Sequence, residues 1–363
     1  MSSRKQNKKH KKWPWILGAV LIIGAIGGIK LYRSLNNYDS ICLALQKGAF
    51  PGMEANSFEP RAEAKEEQRT DGAYIHTEVQ FGTEFPNSYL DIYYAGTEID
   101  ETRPTFIYWH GGGHIFGDKN LGDPLSPNAD LSAYLYEYIR SQGFNFISVN
   151  YCFAPEYRYP CQILHYNQAL DYLNTHAEEL HLNMDNVVLG GSSGGAVYTS
   201  QWVMLLTSKA YLTEFNKAVT ETGYTPIDKP ALEPSQVKAL MLEAPPMIVD
   251  GMNEKTQILY KCWYGADDML GLWYTRLTHI VEYVTEDFIP CFITAGNTEC
   301  YPEDAKELHE KLTELGVEHS YYYVDSDVEV LNHGYLSSFQ TSPHARESLE
   351  QCMTFIKTLV GIE

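Results

Sequence analysis

Positive charge is scarce over most of this 363-residue chain. Residues 1–33 hold eight of the 27 Lys and Arg and no acid, leaving 19 against all 47 Asp and Glu in the rest, a net of −28. A body that acidic repels phosphate backbones, which excludes nucleic acid as a partner. Cysteine offers no metal chemistry. The seven residues (Cys42, Cys152, Cys161, Cys262, Cys291, Cys300, Cys352) are odd in number, scattered, and contain no Cys-x-x-Cys pair. Neither a metal nor an organic cofactor is expected. A bridge between a pair such as Cys152 and Cys161 is open outside the cell; the alternative is that all seven are small buried apolar residues. No internal repeat or low-complexity tract is present, and 44% hydrophobic against 20% charged residues is ordinary for a packed protein. Disorder of the whole chain is excluded, and the length suits one large α/β domain with extra segments.

Long apolar runs are also few. The outstanding one is Trp13-Pro-Trp-Ile-Leu-Gly-Ala-Val-Leu-Ile-Ile-Gly-Ala-Ile-Gly-Gly-Ile29, seventeen residues without a charge. Arg4, Lys5, Lys8, Lys9, Lys11 and Lys12 precede it, and only Lys30 and Arg33 follow closely. By the positive-inside tendency, residues 1–12 form a basic cytoplasmic tail and 13–29 a transmembrane anchor, with the body outside. The run is at the short limit for a spanning helix and slightly long for a signal-peptide core. Ala25-Ile26-Gly27 offers small residues for cleavage, so the alternative is a cleaved signal and a secreted protein. Residues 30–72, ending in the charged stretch 61–72, read as a linker and a partly helical cap.

From residue 73 to 363 strand-like and helix-like segments alternate. Tyr89–Tyr94, Thr105–Trp109, Phe144–Val149, Asn186–Leu189, Ala239–Leu242, Cys291–Thr294 and Ser320–Val324 are the strand candidates. Ile163, Tyr166, Leu170 and Leu173 share a helical face, as do Ala305, Leu308, Leu312 and Leu315, and Leu349, Met353, Ile356 and Val360 behind Ser342-Pro343. Such alternation predicts an α/β domain with a mostly parallel sheet and helices on both faces. Segments 38–72, 210–235 and 250–285 are expected to build a small lid and pocket.

Two motifs carry chemistry. Asn186-Val-Val-Leu-Gly-Gly-Ser-Ser-Gly-Gly-Ala196 places Gly191-x-Ser193-x-Gly195 after an apolar strand and before a helical run. That context is what a nucleophile elbow requires: a serine in a strained strand-to-helix turn, with glycines avoiding clashes on either side. Ser192 competes but lacks the flanking glycine spacing. The second motif, Trp109-His-Gly-Gly-Gly-His114, follows an earlier strand. Its glycine run lets backbone amides approach a bound acyl group, so Gly112, Gly113 and Gly194 are the expected oxyanion donors.

Tyr108-Trp-His-Gly-Gly-Gly-His-Ile-Phe-Gly-Asp-Lys119, Asn150-Tyr-Cys-Phe-Ala-Pro-Glu-Tyr-Arg-Tyr-Pro160 and Gly190-Gly-Ser-Ser-Gly-Gly195 together resemble the hormone-sensitive-lipase-like and feruloyl/acetyl-esterase-like branch of α/β-hydrolases. The resemblance covers roughly residues 73–360. It departs at Ser192, where an acidic residue is common, and at Cys152, where Arg is usual. It implies that Glu156 is structural and that the base is His333, in Leu331-Asn-His-Gly-Tyr335, after the last strand. The other downstream candidates are His279, His309, His319 and His344, of which the last three lie on a helix surface, at a strand start and at the opening of the final helix and so have ordinary structural explanations. The family spacing after Cys291–Thr294 places the acid on Glu299, with Asp304 as the competitor at a helix start. The implied activity is hydrolysis of short acyl, acetyl or feruloyl-type esters of a small molecule or glycan. Alternatives are an exopeptidase or amidase on the same fold, and an inactive hydrolase-like binding module.

Overall fold

The computed structural model describes residues 37–362, apart from 121, 123–125, 127, 299 and 300. The basic tail, Trp13–Ile29 and Glu299 therefore lie outside the described residues. Among the described residues, no helix is long and apolar enough to cross a membrane.

The described residues begin with helix α1 (Tyr38–Ala49) and then build nine strands: β1 (Lys65–Gln68), β2 (Tyr74–Gln80), β3 (Tyr89–Tyr93), β4 (Pro104–Trp109), β5 (Asn145–Val149), β6 (Asn183–Ser192), β7 (Val237–Glu243), β8 (Cys291–Thr294) and β9 (His319–Tyr322). Between and after them lie α2 (Ser132–Ser141), α3 (Cys161–Thr175), α4 (Gly194–Thr207), α5 (Lys209–Glu221), α6 (Glu254–Tyr264), α7 (Tyr301–Leu315) and α8 (Pro343–Val360). All nine strands join one sheet in the order β1-β2-β3-β5-β4-β6-β7-β8-β9. The pairings from β5 through β9 are parallel, and β1, β2 and β3 add an antiparallel flank.

The side-chain alternation of the central strands explains the layering. Every residue of β4 is buried, which is what a parallel strand covered on both faces requires. Phe106 and Tyr108 point to one face, where they pack with Leu135 and Ile139 of α2 and with Leu349, Met353 and Ile356 of α8. Ile107 and Trp109 point to the other, into a core shared with α3, α4 and α7. Gly194 through Leu205 of α4 are all buried, so this helix is covered on every side and runs through the interior. The three predicted helical stripes are all buried except Leu315, which packs partly buried at the core's edge. Ser342 caps α8 by accepting a hydrogen bond from the Ala345 amide, with Pro343 in the first turn.

The charged stretch 61–72 differs from the linker and partly helical cap expected there. Lys65–Gln68 pairs with β2 as the sheet's edge strand, and all four of its side chains are exposed. A strand with no buried face carries no apolar alternation, and its charges guard the open edge against further pairing.

Candidate active site

β6 ends at Ser192 and α4 begins at Gly194, so Ser193 stands alone in the turn at φ 54° and ψ −122°. Such a conformation costs a residue bearing a Cβ about 1–3 kcal/mol and persists only where its surroundings fix it. Here the Ser193 amide donates to the Glu243 carbonyl at 2.8 Å and the Val197 amide to the Ser193 carbonyl at 3.0 Å. The glycines on either side are demanded by close approach. A Cβ on Gly191 would lie 2.5 Å from the Gly195 carbonyl carbon, and one on Gly195 only 2.1 Å from the Trp109 carbonyl oxygen. The elbow therefore presses directly on the end of β4. Negative charge developing beside Ser193 meets the positive end of a helix buried in low dielectric. Ser192 is different: it belongs to the strand ladder opposite Glu243, and its Oγ is buried without a hydrogen-bond partner among the described residues.

The glycine run forms the opposing wall. Gly112, Gly113 and His114 all have positive φ, at 115°, 58° and 70°. A Cβ on Gly112 would fall 1.8 Å from the Phe116 carbonyl oxygen, so no other residue fits this turn. Among the described residues, neither the Gly112 nor the Gly113 amide donates a backbone hydrogen bond. Buried polar side chains hold the loop from behind. The Tyr151 hydroxyl donates to the carbonyls of His110 (3.0 Å) and Gly111 (2.8 Å). Gln46 Nε2, reaching over from α1, donates to those of Ile115 (2.6 Å) and Ala154 (2.7 Å).

His114 continues this wall behind Gly194. Its ring and backbone amide lie 3.4–3.6 Å from where a Gly194 Cβ would sit. The imidazole stacks on Trp263 at 3.9 Å and 7°, meets the edge of Tyr260, and shares a 2.6 Å hydrogen bond with the Tyr198 hydroxyl. Complete burial pushes its pKa down to about 3, which keeps the ring neutral near neutral pH and makes it a weak base. Sequence reasoning missed Gln46, Tyr198, Tyr260 and Trp263, which no spacing connects to the glycine motif.

His333 lies on the turn after β9, 5% exposed, with Gly334 left-handed at φ 66° behind it. Ser126 Oγ donates to the His333 carbonyl at 2.8 Å, and the Tyr301 ring lies 5.1 Å away. The loop leaving β8 is laid along the same turn: the Asn297 amide donates to the Leu331 carbonyl at 2.8 Å, and Asn297 Oδ1 accepts from the Leu331 amide at 3.0 Å. Asn297 and Tyr301 bracket Glu299 in sequence, and both touch the segment 331–333. Glu243 ties the elbow to this turn, because its carbonyl accepts from Ser193 while its Oε1 accepts from the Leu336 amide at 2.9 Å.

Asp304 has another task. Its Oδ1 accepts from the amides of both Met247 and Ile248, which anchors the chain after β7 to α7. Burial raises this carboxyl to about 7 in spite of those hydrogen bonds. The competing histidines are likewise engaged: His279 with Glu307 (3.0 Å), His309 with His319 (2.8 Å), and His344 with Glu329 (2.5 Å).

Residues 106–335, more than half of the chain, match a family described as alpha/beta hydrolase fold. An acetyl esterase of Salmonella paratyphi B is 25% identical over 213 residues, which are 58% of this chain and 60% of that protein. The chain thus aligns with less than two thirds of the length of that relative. Among solved structures, esterase B from Lactobacillus rhamnosis HN001 superposes with a TM-score of 0.62 at 18% identity, covering 81% of this chain and 89% of that one. Esterase LipW from Mycobacterium marinum gives 0.60 at 15% identity, covering 80% and 83%. Likeness at that level of identity speaks to the fold.

Proposed function

This chain belongs to the alpha/beta hydrolase fold family, and from that premise we propose that it is a serine esterase acting on carboxylic esters of short acyl groups. The observation that carries this reading is Ser193 alone in a positive-φ strand-to-helix turn, pressed against a glycine loop whose Gly112 and Gly113 amides donate no backbone hydrogen bond among the described residues. Ser193 Oγ attacks the ester carbonyl carbon as His333 takes its proton. The tetrahedral oxyanion is received by the amides of Gly112, Gly113 and Gly194. His333 then passes the proton to the departing alkoxide, and a water activated by the same imidazole releases the acyl group. Glu299 orients and stabilises the imidazolium, a role supported by the contacts of Asn297 and Tyr301 with the His333 turn.

The name of the acetyl esterase relative supports a short acyl group. The substrate alcohol is a small molecule or glycan. The charge contrast across Trp13–Ile29 supports a body held outside the cytoplasm by an uncleaved anchor, or secreted after cleavage. A fluorophosphonate probe should label the wild-type protein and not Ser193→Ala, whose rate should fall on the order of 10⁴–10⁶-fold. A p-nitrophenyl ester series should peak at acetate or propionate, with p-nitroanilides run in parallel to expose an amidase. Labelling that persists in the variant, or moves to Ser192, refutes the assignment.

A further inference from the structure

Six of the seven cysteines fall among the described residues, and all six are buried. Four of them meet in two pairs. Cys152 Sγ lies 3.1 Å from Cys161 Sγ, and Cys42 and Cys262 meet in one core where α1 packs on α6. All four residues are 0% exposed. A disulfide holds its sulfurs about 2.0 Å apart, so the first pair needs to close by only about 1 Å. The other two described cysteines have no such neighbour: Cys291 on β8 and Cys352 on α8 lie in cores on opposite faces of the sheet.

We propose that Cys152–Cys161 and Cys42–Cys262 are oxidised to two disulfides in the exported protein, and that together they staple the segments that support the oxyanion loop. Three of the four cysteines sit beside a group that contacts that loop, and the fourth, Cys161, beside one that holds the Cys152 backbone. Cys152 follows Tyr151, whose hydroxyl bonds His110 and Gly111, and precedes Ala154, whose amide donates to the His114 carbonyl at 3.0 Å. Cys161 opens α3, and the next residue, Gln162, donates to the Cys152 and Tyr157 carbonyls. Cys42 lies one helical turn before Gln46, which bonds Ile115 and Ala154. Cys262 precedes Trp263, on which His114 stacks. One bridge closes the short loop 152–161; the other joins α1, the first of the described helices, to α6.

The oxidant is a small-molecule or protein disulfide of the kind present in export compartments. One protein thiolate attacks it to give a mixed disulfide, and the paired thiolate then displaces the carrier. The protein dithiol loses two hydrogens for each bridge, and the oxidant departs as two thiols. Burial pushes the Cys152 thiol well above its ordinary pKa, and the hydrogen bond to Cys42, with burial, does the same for Cys262. Folded, these thiols are poor nucleophiles, so the bridges form during folding and then resist exchange.

The test uses the full chain made in two ways: exported to an oxidising compartment, and made in a reducing cytosol, then unfolded and refolded with oxidised and reduced glutathione. Each sample is alkylated in denaturant without reductant and mapped by peptide mass spectrometry. Four of the seven cysteines should escape alkylation, with Cys152 joined to Cys161 and Cys42 to Cys262. The thermal midpoint of the oxidised protein should exceed that of the protein folded with reductant by roughly 3–10 °C. Cys152→Ser should remove only the first cross-link and Cys42→Ser only the second. Alkylation of all seven cysteines in the exported and the refolded chain overturns the proposal. So do cross-links that use Cys291, Cys300 or Cys352, and the absence of either expected cross-link overturns that bridge.

Discussion

Replacing Asp304 with Asn separates the two carboxylates that compete for the role of catalytic acid, and the structure gives the expected size of its effect. Asn retains an Oδ1 that can accept from the Met247 and Ile248 amides, so the anchor survives. It removes the cost of holding a charge in a site that raises the carboxyl from 3.8 to about 7. Between those pH values the folded protein keeps a proton that the unfolded chain releases. This group's contribution to stability is therefore full below about pH 4, falls by ~1.4 kcal/mol per pH unit, and is lost once the pH passes about 7. The variant should match wild type near pH 4 and exceed it above pH 7, by ~4 kcal/mol at most. Urea unfolding at pH 5 and pH 8.5 measures the difference, and p-nitrophenyl acetate hydrolysis at pH 8 measures activity. Esterase activity should stay within a few-fold of wild type, because Asp304 faces the backbone of 247–248. A well-folded variant with a rate loss of 10³-fold or more would refute the reasoning and make Asp304 the catalytic acid. A stability gain with no pH dependence would show that its carboxyl is not held protonated.

Three further outcomes are expected. His333→Ala should approach Ser193→Ala in severity, whereas Glu299→Gln should cost on the order of 10²-fold less than either, since the acid orients rather than transfers the proton; rates on an activated ester check the order. Gln46→Ala strands two buried carbonyls, those of Ile115 and Ala154, and should lower unfolding free energy by about 1–3 kcal/mol and depress kcat more than KM; unchanged kinetics would mean that the loop does not depend on α1. External protease on intact cells should release an active fragment by cutting between Ile29 and Asn37. Activity wholly in the medium with a new N-terminus near Gly28 means a cleaved signal, and full protection until lysis means a reversed orientation.

The fold was legible wherever a segment's burial followed from its own composition. Cys291–Thr294 matches its predicted bounds, and β4, β6 and β7 extend theirs by a few residues, because strands covered on both faces are apolar throughout. The elbow was legible for a steric reason: only glycine fits at Gly191 and Gly195, so the constraint is written into the chain. β1 was not legible, since four exposed polar residues become a strand only by pairing with β2. The two carboxylates after β8 show the same limit. Glu299 and Asp304 are near neighbours in sequence and look alike there, yet burial and two backbone amides engage Asp304 with the chain after β7.

By itself, then, the sequence determined the strand–helix alternation, the Ser193 turn and the glycine loop, because each depends on the sterics and apolarity of residues close together in the chain. Tertiary structure alone decided what surrounds that turn. Gln46 and Tyr151 support the glycine loop, Glu243 ties the Ser193 turn to that of His333, Trp263 backs His114, and four thiols stand in two pairs. Those partners are separated by up to more than two hundred residues in sequence. No periodicity records such pairings, which arise when the sheet order and its crossovers bring distant segments to the same edge.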